Sequence, residues 1–385
     1  MNVLMLNYEY PPLGGGGGVL NQQLAEELSQ NNQVTLITSR FGDQPSHEIR
    51  GGVEIFRVPV MLRRNPNEAT LLSMFSFFPT SLRTGYTLLH TRPFDLVHSM
   101  FAIPSAPSGF MLAKRFRLPH VLSILGGDVY DPSKRLSPHR APLLHATVKK
   151  LLADSDRVIG MSSDIVARAV THYGVTRPID MIPHGIKPPV FAPKTRADLG
   201  YPTDAILLAT VGRLVPRKAV HELIAIVRDV PSPKLQLVII GDGPERPKLE
   251  ALAHTWQVAD RVHFLGNLSD EAKFQVLNIA DIYLSSTQHE GFGLMFLEAM
   301  AVGLPVISYD NGGHIDFLSH GKTGFLVKLG DRHTLAKYTQ MLSEEPTLRR
   351  QLGHFNRRHV EEYYIESCAK KYQELYDGLM NPIIC

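Results

Sequence analysis

Short apolar runs recur along the chain at 3–6, 34–38, 96–97, 121–124 and 158–161, and again at 207–211, 235–240, 262–264, 282–285 and 306–308. Between them lie segments whose apolar positions follow helical spacing, such as 19–29 and 220–227. Strand and helix in alternation predict a parallel, doubly wound α/β sheet. The alternation stops at the proline-rich stretch IPHGIKPPVFAP, residues 182–193, and then starts again. Proline removes a backbone donor and fixes φ, so this stretch continues neither a helix nor a central strand. It predicts a linker between two Rossmann-like domains, 1–182 and 183–360. A last helix is expected over 361–380, where Tyr364, Ala369, Tyr372 and Leu375 fall at helical spacing.

Composition narrows the class. The chain has 385 residues, 44% of them hydrophobic and 20% charged, which suits a two-domain globular enzyme. Its two cysteines, Cys368 and Cys385, make no disulfide framework and point to a reducing, cytoplasmic setting. The N-terminus carries Glu9 and no basic start, and reads as a buried first strand rather than a secretory signal. No apolar run approaches a membrane span; the best, 71–78, is broken by serines and ends at Pro79. A net charge of +3 is too small to argue for a nucleic-acid partner. The excess sits in residues 1–185, which hold 18 basic against 14 acidic side chains.

Four blocks carry candidate chemistry, each after a predicted strand. Gly14 through Gly18 follow the first strand and precede a helix expected from about Asn21. Glycine lets backbone N–H groups approach an anion, and a helix N-terminus adds a favourable field. The run fails the dinucleotide pattern G-x-G-x-x-G, because Val19 stands at the last glycine. GRLVPRK, from Gly212, places Arg213 and Lys218 at a strand's carboxyl end, where open α/β sheets bind ligands and two cations can neutralise a diphosphate. GDGPE, from Gly241, is another glycine turn at another strand end. EGFGLMFLEAMAVGLPVI, from Glu290, opens a helix at Phe292, Gly293 and Leu294 whose free N–H groups suit a phosphate. Glu298 within it offers a carboxylate that can accept from both hydroxyls of a vicinal diol.

Two look-alikes carry less. Gly321-Lys322-Thr323 lacks the earlier P-loop glycine, with Asp316 in that place. Asp154-Ser155-Asp156 has the spacing of a metal-holding acidic pair but sits at the end of a helical pattern, where a helix-end role is expected.

Taken together the four blocks, with GGxxxxxxxGxTGFLV from Gly312, resemble the retaining GT-B glycosyltransferases of family 4, the glycosyl transferases group 1. Glu290-x7-Glu298 is the most specific part, and the match runs over nearly the whole chain. The resemblance implies two doubly wound Rossmann-like domains facing across a cleft, with the last helix returning to the first. It implies a nucleotide-diphosphate sugar as donor, UDP- ahead of GDP-, with no cofactor and no metal. Arg213 and Lys218 would bind the diphosphate, Glu298 the ribose and Glu290 the transferred sugar. Gly16, Gly17, Gly18, Gly212, Gly241, Phe292, Gly293 and Leu294 would line the phosphate and sugar site. Asn267 and Leu268 would lie near the base. Where many relatives carry a first-domain histidine, this chain reads Leu125-Gly126-Gly127-Asp128, so Asp128 becomes the polar group expected at the sugar; its other reading is a turn cap before Pro132.

The implied activity is transfer to a hydroxyl of a glycan or lipid-linked acceptor. A non-catalytic nucleotide-sugar binder and a Rossmann oxidoreductase are the competing readings. The first would release no sugar from a donor. The second would need the dinucleotide fingerprint that Val19 breaks. Arg63, Arg64 and Arg83 flank Leu72, Phe75 and Phe78, which serve either as a peripheral surface for anionic membrane or as core.

Overall fold

The computed structural model describes residues 1–66, 69–131 and 136–380; Pro132, Cys385, and Asn67 and Glu68 within the arginine- and phenylalanine-bearing segment lie outside the described residues. The chain forms two α/β units. One is Met1–Ile186 joined by Ile365 onward, the other Lys187–Tyr364. The first unit keeps the chain four residues longer than the proline pattern predicts. Ile182 and Ile186 are buried, and the Ile186 carbonyl accepts from the Ile365 N–H at 2.9 Å.

The first unit contains β1 (Asn2–Asn7), α1 (Gly16–Leu28), β2 (Gln33–Arg40), β3 (His47–Arg50), β4 (Val53–Pro59), α2 (Leu71–Thr91) and β5 (Leu96–Met100). It continues through α3 (Ala106–Phe116), β6 (His120–Ile124), α4 (Pro142–Asp154), β7 (Arg157–Gly160), α5 (Ser163–Tyr173) and β8 (Asp180–Met181). Its sheet runs β3-β4-β2-β1-β5-β6-β7-β8, parallel except for the β3–β4 hairpin. The centre shows why the strand is buried whole. Side chains alternate across a strand, so Val3 and Met5 join one core with Leu24 and Leu28 of α1, while Leu4 and Leu6 join another with Phe77 of α2 and Leu112 of α3.

Two local expectations change. The hairpin was not expected, because HEIR has one apolar residue and three exposed or half-exposed polar ones. Its turn is Gly51-Gly52, both at positive φ, which suits a two-residue hairpin. The apolar run at 71 does not stop at Pro79; α2 continues to Thr91. Thr70 caps its start by accepting from the Ser73 N–H, and the Thr80 hydroxyl donates to the Ser76 carbonyl at 3.0 Å beside the proline.

The second unit contains β9 (Ile206–Val211), α6 (Val220–Asp229), β10 (Leu235–Ile240), α7 (Arg246–Thr255), β11 (Val262–Gly266) and α8 (Asp270–Ile279). Then come β12 (Ile282–Leu284), α9 (Leu294–Ala301), β13 (Val306–Tyr309), β14 (Gly324–Val327), α10 (Arg332–Glu344) and α11 (Pro346–His359). The sheet order is β11-β10-β9-β12-β13-β14, parallel throughout. Leaving a central strand to either side makes β9 a switch point, and its carboxyl end is where such sheets leave room for ligands.

The last helix, α12 (Ile365–Met380), belongs to the first unit. Ile365, Cys368, Ala369, Tyr372, Leu375 and Tyr376 form its buried stripe. Each large apolar side chain so buried contributes about 1.5–3 kcal/mol. Tyr376 Oη shares a 2.6 Å hydrogen bond with His98 Nδ1 on β5, and Asn32 donates to Gln373 at 2.7 Å. Burial lowers the His98 pKa to about 3, so the ring is neutral in the fold. Among the described residues no helix is long and apolar enough to cross a membrane.

Candidate active site

In the second unit, the loops after β9, β10, β11 and β12 converge. The first pair is packed backbone on backbone. The Leu214 N–H donates to the Asp242 carbonyl at 2.9 Å, and a side chain at Gly241 would collide with the Gly212 carbonyl. Gly241 thus earns its place by close approach, and it also bridges to Gly266. Asn267, just beyond, is exposed, and Leu268, two residues before α8, is half-buried.

After β9 the chain makes a single 3-10 turn, Pro216–Lys218. Three hydrogen bonds tie that turn to the loop after β12. The Ser286 hydroxyl donates to the carbonyls of Ala219 at 2.9 Å and Lys218 at 3.1 Å, and the Gln288 N–H donates to the Arg217 carbonyl at 2.8 Å. The turn therefore places two cations on Glu290. Lys218 Nζ lies 2.5 Å from Glu290 Oε1, and Arg217 donates to the same oxygen at 2.8 Å. Thr287 donates to it as well, at 3.1 Å. Burial raises the Glu290 pKa, but Lys218 and Arg217 outweigh it and bring it down to about 2. Burial pulls the Lys218 ammonium below the ordinary lysine range, with Glu290 opposing. The Lys218 stem crosses the face of Gly212, its Cε 3.3 Å from where a Cβ would stand. Arg213 is exposed on the same loop.

Glu290 is also fixed from behind. Its carbonyl accepts from the Gly313 N–H at 2.8 Å, in the short turn after β13. Buried Phe292 packs edge-on to Phe317, with ring centroids 5.1 Å apart. Gly293, at φ +91, caps α9 and leaves its first N–H groups without a side-chain partner, with Leu294 as the first helical residue. One turn on, Glu298 is not a solvated surface group. Its Oε1 takes a 2.7 Å ion pair from Lys273 of α8, which also holds Asp270 at 2.9 Å. Burial would lower the Lys273 pKa, but Glu298 and Asp270 raise it. His314 lies fully buried over Phe296, with Nε2 2.7 Å from the Tyr309 carbonyl, and burial lowers its pKa.

Arg217 and Lys273 are the functional candidates that sequence reasoning missed. Arg217 stood inside GRLVPRK, where two adjacent cations were the available signal. Lys273 is 25 residues from its partner and gave none.

In the first unit the glycine run is mostly helix. α1 begins at Gly16, with Gly15 as its cap, so Gly16, Gly17 and Gly18 form the first turn rather than a loop ending near Asn21. A Cβ at Gly17 would meet the Phe101 ring at 2.8 Å, and one at Gly18 the Leu13 carbonyl at 3.0 Å. Gly16 faces open space.

Asp128 differs from expectation. Its carboxylate is spent on the backbone of two loops. Oδ1 accepts from Leu125 at 3.0 Å and Gly126 at 2.8 Å, and Oδ2 accepts from Ala102 at 2.7 Å, all main-chain N–H groups. It is 6% exposed, and burial raises its pKa despite those three donors. These three donors come from residues before Asp128 in the chain. The carboxylate binds the loop after β6 to the loop after β5.

Asp154 and Asp156 are likewise held singly. Asp154 ends α4 and pairs with Lys150 at 2.6 Å; Asp156 accepts from the His120 N–H at 2.8 Å. Arg63 is buried, donates to the Pro66 carbonyl at 2.7 Å and lies over Tyr8, so it leaves the basic surface that included Arg64 and Arg83. Leu72 and Phe75 are exposed, at 44% and 56%, while Phe78 is half-buried.

Comparison with known proteins adds an independent line. Residues 14–188 match the family described as Glycosyltransferase Family 4, and residues 191–359 match Glycosyl transferases group 1. A D-inositol 3-phosphate glycosyltransferase of Streptomyces avermitilis is 26% identical over 98% of this chain and 88% of its own. An N-acetyl-alpha-D-glucosaminyl L-malate synthase of Bacillus anthracis is 25% identical over 95% and 94%. Among solved structures, a sucrose-phosphate synthase from Thermosynechococcus elongatus superposes with TM-score 0.85 at 24% identity, over 98% of this chain and 99% of that one. HepE from Anabaena, solved with UDP and glucose, superposes with TM-score 0.77 at 18% identity, over 98% and 100%. Both structural matches speak to the fold.

Proposed function

This chain belongs to glycosyltransferase family 4, the glycosyl transferases group 1, and from that premise we propose that it moves a sugar from a nucleotide-diphosphate donor to an acceptor hydroxyl with retention of configuration. The observation that carries this reading is the group around Glu290. Two cations, a paired carboxylate and the N-terminus of α9 gather at the carboxyl end of a parallel sheet. Cleaving the anomeric C–O bond leaves a nucleoside diphosphate and an oxocarbenium-like sugar. Preorganised cations and N–H dipoles stabilise the leaving anion without reorganising. In this assignment Lys218 and Arg213 meet the diphosphate, and the N–H groups at Gly293 and Leu294 assist. Glu290 accepts from sugar hydroxyls through Oε2, because its three protein donors converge on Oε1. Glu298, oriented by Lys273, accepts from the ribose. Attack on the departing side of the sugar within an ion pair needs no protein nucleophile.

UDP-sugars are the first donors to test, since the HepE structures hold UDP and UDP-glucose. The cations take the place a metal ion would fill, so transfer proceeds in EDTA. The acceptor is a hydroxyl of a glycan or a lipid-linked glycan. Exposed Met61, Leu62, Leu71, Leu72 and Phe75, beside exposed Arg64, form the surface through which the first unit would meet an anionic membrane. The deciding experiment follows UDP-, GDP- and ADP-sugars for slow hydrolysis by the purified protein, with EDTA and with added manganese. One donor class should be hydrolysed equally in both. Binding without hydrolysis would leave a nucleotide-sugar binder, and activity only with manganese would reverse the metal-free assignment.

A further inference from the structure

Lys218 holds Glu290 so closely that its charge is already engaged before any donor arrives. A lone lysine so paired would present a neutral group to a diphosphate. Arg217 changes the balance, since two cations and one carboxylate leave a net positive charge. The two cations are also held differently. Arg217 is fixed to the loop it serves: its guanidinium donates to the His289 carbonyl at 2.9 Å and its own carbonyl accepts from Gln288. The Lys218 ammonium has Glu290 as its ion-pair partner, at the end of a flexible stem lying over Gly212 at the carboxyl end of β9. A guanidinium keeps a fixed fork, whereas an ammonium reorients at little cost.

We propose that Arg217 is a positioning residue that keeps Glu290 paired and in place while a diphosphate draws the Lys218 ammonium away. The proposal rests on the reading of Lys218 as a diphosphate ligand. Without Arg217, nucleotide binding would strand Glu290 as a buried carboxylate beside an anion. With Arg217, Oε1 keeps a cation and Oε2 stays aimed for the sugar. The low Glu290 pKa, to which both cations contribute, is in keeping with a carboxylate that never takes up a proton during the exchange.

The test is a coupling measurement on the full chain, by calorimetric titration with UDP and, in a parallel arm, GDP. Four forms are compared: wild type, Arg217→Gln, Glu290→Gln and the double variant. Loss of Arg217 should weaken nucleotide binding about tenfold when Glu290 is present and less than about twofold when Gln replaces it, as expected for residues coupled through one contact. Arg217→Lys, which keeps a cation but not the fixed fork, should recover only part of the loss and bind about threefold to fivefold more weakly than wild type. Equal losses in both backgrounds would overturn the proposal, because Arg217 would then act on the nucleotide or on the fold without Glu290. No loss in either background would overturn it too. Binding of neither nucleotide by wild type, or undiminished binding by Lys218→Ala, would instead remove the diphosphate reading and this proposal with it.

Discussion

Asp128 and Glu290 are both carboxylates in loops that follow parallel strands, and both are shielded from water, yet they are neutralised in opposite ways. Asp128 is met by three backbone N–H groups, and burial still raises its pKa. Glu290 is met by an ammonium and a guanidinium, and its pKa falls to about 2. Amide dipoles compensate a desolvated charge only in part, whereas full cations overcompensate it. The difference bears on use. Donors that belong to the main chain cannot leave without unravelling two loops, so Asp128 is part of the fold. Donors on side chains can be exchanged for a ligand, which is why Glu290 and its cations are the candidate site.

The contrast is broken most severely by removing one of the exchangeable cations. Lys218→Ala should weaken donor binding by roughly 1.5–3 kcal/mol, the usual worth of a charge-assisted hydrogen bond, read by calorimetry with the donor that wild type hydrolyses. Unchanged affinity would take Lys218 out of the site. Acid unfolding sharpens the comparison further, because the two groups have opposite linkage. Glu290, with its folded pKa depressed, adds stability above its unfolded value near 4.5 and loses it as pH falls toward 2. Asp128, with its folded pKa raised, gains stability as pH falls into its titration range. Urea titrations between pH 7 and pH 3 should show a shallower acid loss in Glu290→Gln than in wild type and a steeper one in Asp128→Asn. Identical slopes would mean that neither environment is as described. The smallest effect concerns a surface far from either carboxylate in sequence. Leu72→Ser with Phe75→Ser should lower co-sedimentation with anionic vesicles about threefold to tenfold at low salt, the scale of losing two partly inserted apolar side chains, and leave donor hydrolysis unchanged. Equal sedimentation of both proteins would show that this patch is not a membrane contact.

What could be read in the sequence follows the range of the interactions involved. The buried parallel strands were legible because burial on both faces leaves continuous apolar runs, as at 235–240. The β3 strand was hidden because its edge position leaves it polar. Gly16 to Gly18 were legible as special but not as helix, since the reason for glycine at two of them is a contact with Phe101 or Leu13 that only the fold supplies. Glu290 and Glu298 stood out through their spacing. Of their counter-ions, Lys218 was named but Arg217 and Lys273 were not, because Arg217 lies 73 residues from Glu290 and Lys273 lies 25 from Glu298. The surroundings of Asp128 were hidden for the same reason: a Gly-Gly-Asp turn looks open in sequence, while the N–H of Ala102 that meets its carboxylate is 26 residues away.

The central claim is that Glu290 serves the chemistry and Asp128 the fold, and a single pair of shape-conserving variants tests it. Donor hydrolysis and thermal unfolding are measured side by side for Glu290→Gln and Asp128→Asn. Glu290→Gln should lower turnover by about 100-fold or more, the scale of losing a preorganised electrostatic contact, and should also lower the melting temperature at neutral pH, because Lys218 and Arg217 lose their carboxylate. Asp128→Asn replaces an accepting oxygen with an amide N–H facing Ala102. It should cost about 2–3 kcal/mol of stability, or roughly 5–10 °C in a unit of this size, with turnover within about threefold of wild type below the transition. The reverse pattern, a stable Asp128→Asn protein with tenfold or greater loss of turnover beside an active Glu290→Gln, would contradict the assignment of both residues.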